Sequence, residues 1–216
     1  MRGLVYPELC ARCDRRVPAP AALPVCPTCL TQMPRPAEDE VPARLAELPG
    51  GHEIANGAVA LWRFDDGGAV QRVQHALKYG HRPGLGPPLG RLLARAVPEG
   101  PDAVVAVPLA RTRELERGYN QSAALAAGVA ERLGVPALRG ALVRDRATRS
   151  QTDLARAERW RNVEGAFRVA EPGAVAGRRV VLVDDVMTTG ATLLAAAAPL
   201  QAAGATVTVA VLALAT

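Results

Sequence analysis

Four apolar residues, Val180, Val181, Leu182 and Val183, run without a break into two adjacent aspartates, Asp184 and Asp185. A short, uninterrupted apolar run suits a strand buried on both faces, the condition of a strand inside a parallel sheet. Ionised carboxylates are costly in such an interior, so the acids mark the strand's end. Small residues follow at 188–192, and then an alanine-rich stretch with helical character to residue 203. A strand feeding a small-residue loop and then a helix is one half of a βαβ unit.

The same alternation continues along the chain. Strands are expected at 58–64, 103–107, 137–143, 165–169, 178–186 and 206–214. Between them lie helical stretches. Val70, Val73 and Leu77 fall at helical spacing ahead of Gly80. Further helices are expected at 89–97, 122–133 and 192–203, and a polar loop at 109–121. The Arg-rich stretch 144–162 is expected to be helical in its second half. The fold class is therefore α/β, a mainly parallel sheet flanked by helices, and ligands of such sheets sit at the carboxyl ends of the strands. Three regions are expected: 1–36, holding all four cysteines; 37–56, a polar linker or short helix; and 57–216, the sheet domain.

At 216 residues, 49% apolar and 22% charged, the chain has material for one medium domain with a small appendage. Its net charge is +5 with a pI near 9.5, compatible with a polyanionic partner or an anionic small substrate. Lys78 is the only lysine among the 26 Lys and Arg residues. Arginine in place of lysine can simply reflect genome base composition, although a guanidinium fork also suits phosphate. The apolar runs are too short or too broken to cross a bilayer, and the first residues lack the apolar core of a signal peptide. A cytoplasmic chain without membrane insertion is expected, and there a four-cysteine cluster favours metal over disulfides.

The cysteines form two C-x2-C knuckles, Cys10/Cys13 and Cys26/Cys29, separated by twelve residues. Two such knuckles make a tetrahedral thiolate site for structural Zn²⁺; a redox pair and an iron–sulfur cluster are the competing readings. A closed four-thiolate site serves folding or docking.

At the strand–helix junction, carboxylates accept hydrogen bonds and the vicinal hydroxyls of a ribose offer two. Asp184 and Asp185 are expected at an open crevice. Thr188, Thr189, Gly190, Ala191 and Thr192 lie at a helix start, where free N–H groups and the positive dipole end suit a phosphate monoester. A sugar-diol site lies a few residues from a phosphate nest, which fits a ribose 5-phosphate. The bland alternative is an ordinary strand, turn and capped helix.

This stretch resembles the signature of type I phosphoribosyltransferases, the binding site for phosphoribosyl pyrophosphate (PRPP). The resemblance implies that Asp184 and Asp185 contact the ribose hydroxyls and that residues 188–192 cradle the 5′-phosphate. It also implies that the loop holding Ala110, Arg111, Arg113 and Arg117 binds pyrophosphate, and that Mg²⁺ accompanies it, held by substrate oxygens and water. The segments "HALKYGHR", "VAVPLARTRELERGYNQS" and "RSQTDLARAERWRNVEGAF", with the cysteine knuckles, resemble the ComF family, which is linked to DNA uptake in natural competence. Arg144–Arg161 occupies the place of the loop that closes over substrate in related enzymes; the bland reading is a solvated charged helix.

Three functions follow: transfer of phosphoribose from PRPP to an unknown acceptor, PRPP sensing without catalysis, and handling of single-stranded DNA or DNA-uptake proteins. Aromatic residues make up only 3% of the chain, which weakens a general base-stacking surface. Asn120 is expected to cap the following helix. His52, His75 and His81 show no ligand spacing with the cysteines.

Overall fold

β5 (Arg179–Met187) is the spine of the sheet, with every residue from Val180 to Asp185 buried. β2 (Ala103–Ala106) pairs with one edge and β6 (Thr206–Leu214) with the other, while β1 (Val59–Arg63) lies outside β6. The order β1-β6-β5-β2 is parallel throughout. A parallel bridge from Val104 to Ala137 extends the β2 side. An antiparallel pair, β3 (Leu142–Arg144) and β4 (Phe167–Val169), stands apart from the sheet. This computed structural model describes residues 9–17, 23–79, 83–145 and 165–215; Gly80, His81 and the closing-loop expectation beyond Asp145 lie outside the described residues.

Alternation along the strands sorts the core into two layers. Val180, Leu182, Val207, Val209 and Val211 face one side, where they meet α8 (Ala191–Ala202), α2 (Glu40–Ala46) and α3 (His52–Ala55). Val181, Val183, Ala210 and Leu212 face the other, against α4 (Ala69–Tyr79), α5 (Gly86–Leu93) and α7 (Gln121–Leu133). Helices on both faces explain why the strands read as unbroken apolar runs.

Each helix follows from local chemistry. The Asp65 carboxylate accepts from the N–H groups of Val70 and Gln71 at the start of α4. α5 begins at Gly86, earlier than expected, and takes its prolines into the first turn, where a missing N–H costs nothing. Asn120 caps α7 by accepting from Ser122 and Ala123. Helices α5 and α7 cross closely. A Cβ added at Gly90 would lie 2.1 Å from the Leu125 carbonyl oxygen, and one at Gly128 would lie 2.1 Å from that of Pro87.

Two expectations change. The polar loop 109–121 contains a helix, α6 (Arg111–Arg117), ended by Gly118 at φ 79°. It buries none of its residues, so there was no apolar stripe to read. The stretch 37–56, read as a polar linker or short helix, supplies α2 and α3, which place Val41, Leu45, Leu48 and Ile54 in the core. The cysteine segment, with α1 (Pro27–Thr31), is likewise packed: Cys10, Val25, Cys29 and Met33 share a cluster with Leu61, Trp62 and Leu89.

Candidate functional site

The carboxyl ends of β5 and β2 lie side by side, with Ala106 in register with Val183. Asp184 and Asp185 follow directly. They are not at an open crevice: the residues are 9% and 6% exposed. Their burial has a physical origin in two helices, α7 and α4, that close over them. Ser122, in the first turn of α7, donates to Asp184 Oδ1 at 2.7 Å, and the Asp185 N–H donates to the same oxygen at 2.9 Å. From α4, Gln74 Nε2 donates to the Asp185 carbonyl at 3.2 Å and Lys78 Nζ lies 2.8 Å from Asp185 Oδ2. Tyr119 pins this end of α4 by donating its hydroxyl to the Leu77 carbonyl.

The acids are clamped but not saturated. Lys78 stands beside Asp185 Oδ2 as an ion-pair partner, and that oxygen is buried without a hydrogen-bond donor among the described residues. Burial first, and then the charge of Asp185, push the Asp184 carboxyl up to about 7, against the opposing pull of Ser122, the Asp185 N–H and Lys78. Two carboxylates this close in a dry place resist joint ionisation. Burial also lifts the Tyr119 phenol, which Arg117 opposes and Asp185 reinforces.

Residues 188–192 link β5 to α8. Gly190 is the N-cap at φ 85°, and no side chain caps the helix from that position; Thr189 Oγ1 accepts from the Ala191 N–H at 3.4 Å. A shallow hollow of about 20 Å³ lies along Val186 to Leu193, taking in Thr188 and Thr192. The loop is braced from below. Arg44 on α2 donates to the Thr188 carbonyl at 3.2 Å and also to the Ala215 carbonyl. Leu45 and Leu48 pack where a Cβ on Gly190 would stand, at 2.8 and 3.2 Å. The left-handed φ and this close approach both require glycine.

On the β2 side, Pro108 leads to Ala110, the N-cap of α6. The three arginines of this region differ. Arg113 is paired with Glu116 at 3.0 Å on the surface. Arg117 donates to Gln121 Oε1 at 2.9 Å and lies over the Tyr79 ring, 5.4 Å from its centroid. Arg111 pairs with no acid among the described residues. A larger hollow of about 640 Å³ borders Pro108, Glu114, Tyr119, Asn120 and Arg139. It adjoins this loop and does not contain the acid pair.

The four cysteines converge. Cys10, Cys13, Cys26 and Cys29 bring their sulfurs within 4.8 Å of one another, and none is in a disulfide. A Zn–S bond of about 2.3 Å sets tetrahedral edges near 3.8 Å, and Cys13 and Cys26 already stand 3.9 Å apart. Burial opposes ionisation of Cys10, but the backbone N–H groups of Cys26, Arg12 and Cys13 outweigh it and bring that thiol down to about 6. Burial and the neighbouring sulfurs push Cys29 up to about 12. Four thiolates in this space need a cation, and the cluster fits zinc. His52 and His75 stand apart from it.

Sequence reasoning missed Ser122, Gln74 and Arg44, and gave Lys78 little weight. Ser, Gln and Arg carried no signal, because only the packing of α2, α4 and α7 brings them to the β5 end. Lys78 did carry one, as the chain's single lysine.

Residues 119–215 match the phosphoribosyl transferase domain family. The chain is 39% identical over 127 residues to the DNA utilization protein YhgH of Escherichia coli, covering 55% of each protein. It is 38% identical over 114 residues to competence protein F of Haemophilus influenzae, covering 49% of this chain and 50% of that one. The resemblance drawn from its motifs stands: the chain is similar to these two proteins over about half of its own length. It spans about half the length of the curated relatives it matches. Among solved structures, glutamine PRPP amidotransferase from B. subtilis is similar at 29% identity and a TM-score of 0.44, over 62% of this chain and 30% of that one. None of the helices is long and apolar enough to cross a membrane, among the described residues.

Proposed function

We propose that this chain binds PRPP at the carboxyl ends of β5 and β2 and transfers its phosphoribosyl group to an acceptor, in the service of DNA uptake. One observation carries the reading. A buried pair of aspartates, one with an oxygen lacking a hydrogen-bond donor among the described residues, stands directly before a glycine-capped helix start. Asp184 and Asp185 accept the ribose hydroxyls, which supply the donors that the carboxylates lack. Thr188, Thr189, Gly190, Ala191 and Thr192 take the 5′-phosphate, held in shape by Arg44, Leu45 and Leu48.

The pyrophosphate lies toward β2, along Ala110, Arg111, Arg113 and Arg117. Arg111 is the best placed of the three arginines, since Arg113 and Arg117 already have partners. In the transfer, the bond from ribose C1 to pyrophosphate breaks, pyrophosphate leaves with the electron pair, and the acceptor's nucleophile bonds to C1. The protein's part is to hold the reacting groups in line and compensate charge. Mg²⁺ would supply further charge compensation, held by pyrophosphate oxygens and water. A four-thiolate Zn²⁺ at Cys10, Cys13, Cys26 and Cys29 would fix the knuckle against α4, α5 and β1, a structural role far from transfer. The names of the relatives, DNA utilization protein and competence protein F, support the link to DNA uptake.

Calorimetric titration with PRPP and Mg²⁺ tests the site. Wild type is expected to bind and to release pyrophosphate once an acceptor is supplied, whereas the Asp184→Asn/Asp185→Asn variant loses binding. Equal affinity in the two proteins would refute the assignment. Elemental analysis of protein purified without chelator is expected to find about one Zn²⁺ per chain; metal-free, folded protein would remove the zinc reading.

A further inference from the structure

Lys78 is a lysine in a chain that uses arginine at every other basic position except histidine. It stands at the end of α4 with its Nζ 2.8 Å from Asp185 Oδ2. Gln74, one helical turn earlier on the same face, holds the Asp185 carbonyl. The exception to the arginine rule thus sits at the acid pair.

The same molecule shows what an arginine does with a carboxylate. Arg63 grips both oxygens of Glu40. Arg179 grips both oxygens of Asp102, Nε to Oδ2 at 3.2 Å and Nη2 to Oδ1 at 2.9 Å. A planar fork engages both oxygens of its partner. An ammonium is a compact point charge. At Asp185 it lies beside one oxygen without completing a hydrogen bond, so it compensates charge and leaves the lone pairs to another donor.

We propose that Lys78 is the positioning residue of the acid pair, a one-sided counter-charge beside Asp185 that offsets the negative charge of the pair while leaving its oxygens to a sugar diol. This rests on the reading of the site as a PRPP site. Besides Lys78 of α4, the groups set against the pair are Ser122 of α7 and Tyr119 just before that helix. Arg144 of β3 also interacts with Asp184. Of these, Ser122 and Lys78 pull the Asp184 carboxyl down, against its burial and the charge of Asp185.

The test is PRPP–Mg²⁺ binding measured from about pH 5 to about pH 9 for wild type, Lys78→Met and Lys78→Arg, with melting curves to establish that each is folded. In Lys78→Met, binding is expected to set in about one pH unit higher, with about a tenfold loss at neutral pH. Lys78→Arg keeps the wild-type pH profile but binds about tenfold more weakly at every pH, because the fork occupies the diol's oxygens. A folded Lys78→Met with the wild-type profile overturns the counter-charge role. Full affinity in Lys78→Arg overturns the one-sided geometry. Wild type that does not bind overturns the PRPP reading instead. A ligand-free readout separates the two failures: an amine-reactive label, located by peptide mapping, reacts faster at Lys78 in Asp185→Asn if the pair exists, and at an unchanged rate if it does not.

Discussion

The two ends of β5 treat their charges in opposite ways. At the amino end, Arg179 and Asp102 meet on the surface, each charge matched by the other, and the Asp102 carboxylate also accepts from the Arg179 backbone N–H. At the carboxyl end, two carboxyl groups are buried together, one cation stands beside them, and one oxygen has no hydrogen-bond donor among the described residues. The amino end is finished chemistry and offers a ligand nothing. The carboxyl end is held in an unfavourable state by its surroundings, and a ligand with two hydroxyls relieves it. Within one strand, the place to look for function is the end whose hydrogen bonding is incomplete.

The largest effect that would sharpen this contrast is on binding. Replacing both acids by asparagine removes charge-assisted hydrogen bonds worth about 1.5–3 kcal/mol each, so PRPP affinity is expected to fall about a hundredfold or more. The same variant should melt higher than wild type at neutral pH, since the like-charge pair is gone. Asp102→Asn should leave PRPP affinity unchanged; a loss there would break the comparison.

The next effect is in stability against pH. The folded Asp184 carboxyl lies at about 7, above its ordinary 3.8. The folded state therefore holds a proton that the unfolded chain has released. Stability from this group is full below about pH 4 and is lost as pH rises toward 7, with a slope of up to about 1.4 kcal/mol per pH unit. Asp102, drawn down to about 2 by its hydrogen bonds to Arg179, has the opposite sign. Its contribution is present above about pH 4 and disappears as pH falls toward 2. Chemical denaturation across this range, for wild type and Asp184→Asn, should show the first slope only in wild type.

A smaller effect is expected at the brace below the loop. Gly190→Ala combines a left-handed φ with a Cβ 2.8 Å from Leu45 Cδ2, and should cost about 1–2 kcal/mol of stability. Adding Leu45→Ala should restore ligand affinity in part, by making room. The smallest effect is expected from Asp102→Ala, whose melting temperature should lie close to that of wild type, as for other exposed ion pairs.

Much of this was legible in the sequence for physical reasons. The strands could be read because burial on both faces demands unbroken apolar runs, and β5 and β6 have them. The Cys10/Cys13 and Cys26/Cys29 spacing marked the sulfur cluster, which needs only short-range geometry. Helix α6 was not legible, since an element with no buried side has no apolar period. The burial of Asp184 and Asp185 was hidden as well, because the residues that cover them lie on α4 and α7, far away in sequence. The role of Leu45 and Leu48 was masked by the polar residues around them in a stretch that reads as a connector.

The order of the strands also governs how the chain can assemble. β6 stands between β1 and β5, so β1, complete at residue 63, has no strand neighbour among the described residues until residues 206–214 exist. On a ribosome, β1 must wait without a strand partner while more than half the protein is made. Pairings this distant in sequence are slow to form and leave apolar edges open to other chains. The sheet thus closes in a late step, and the loop between β5 and α8 acquires its brace from Arg44 only when that step is over.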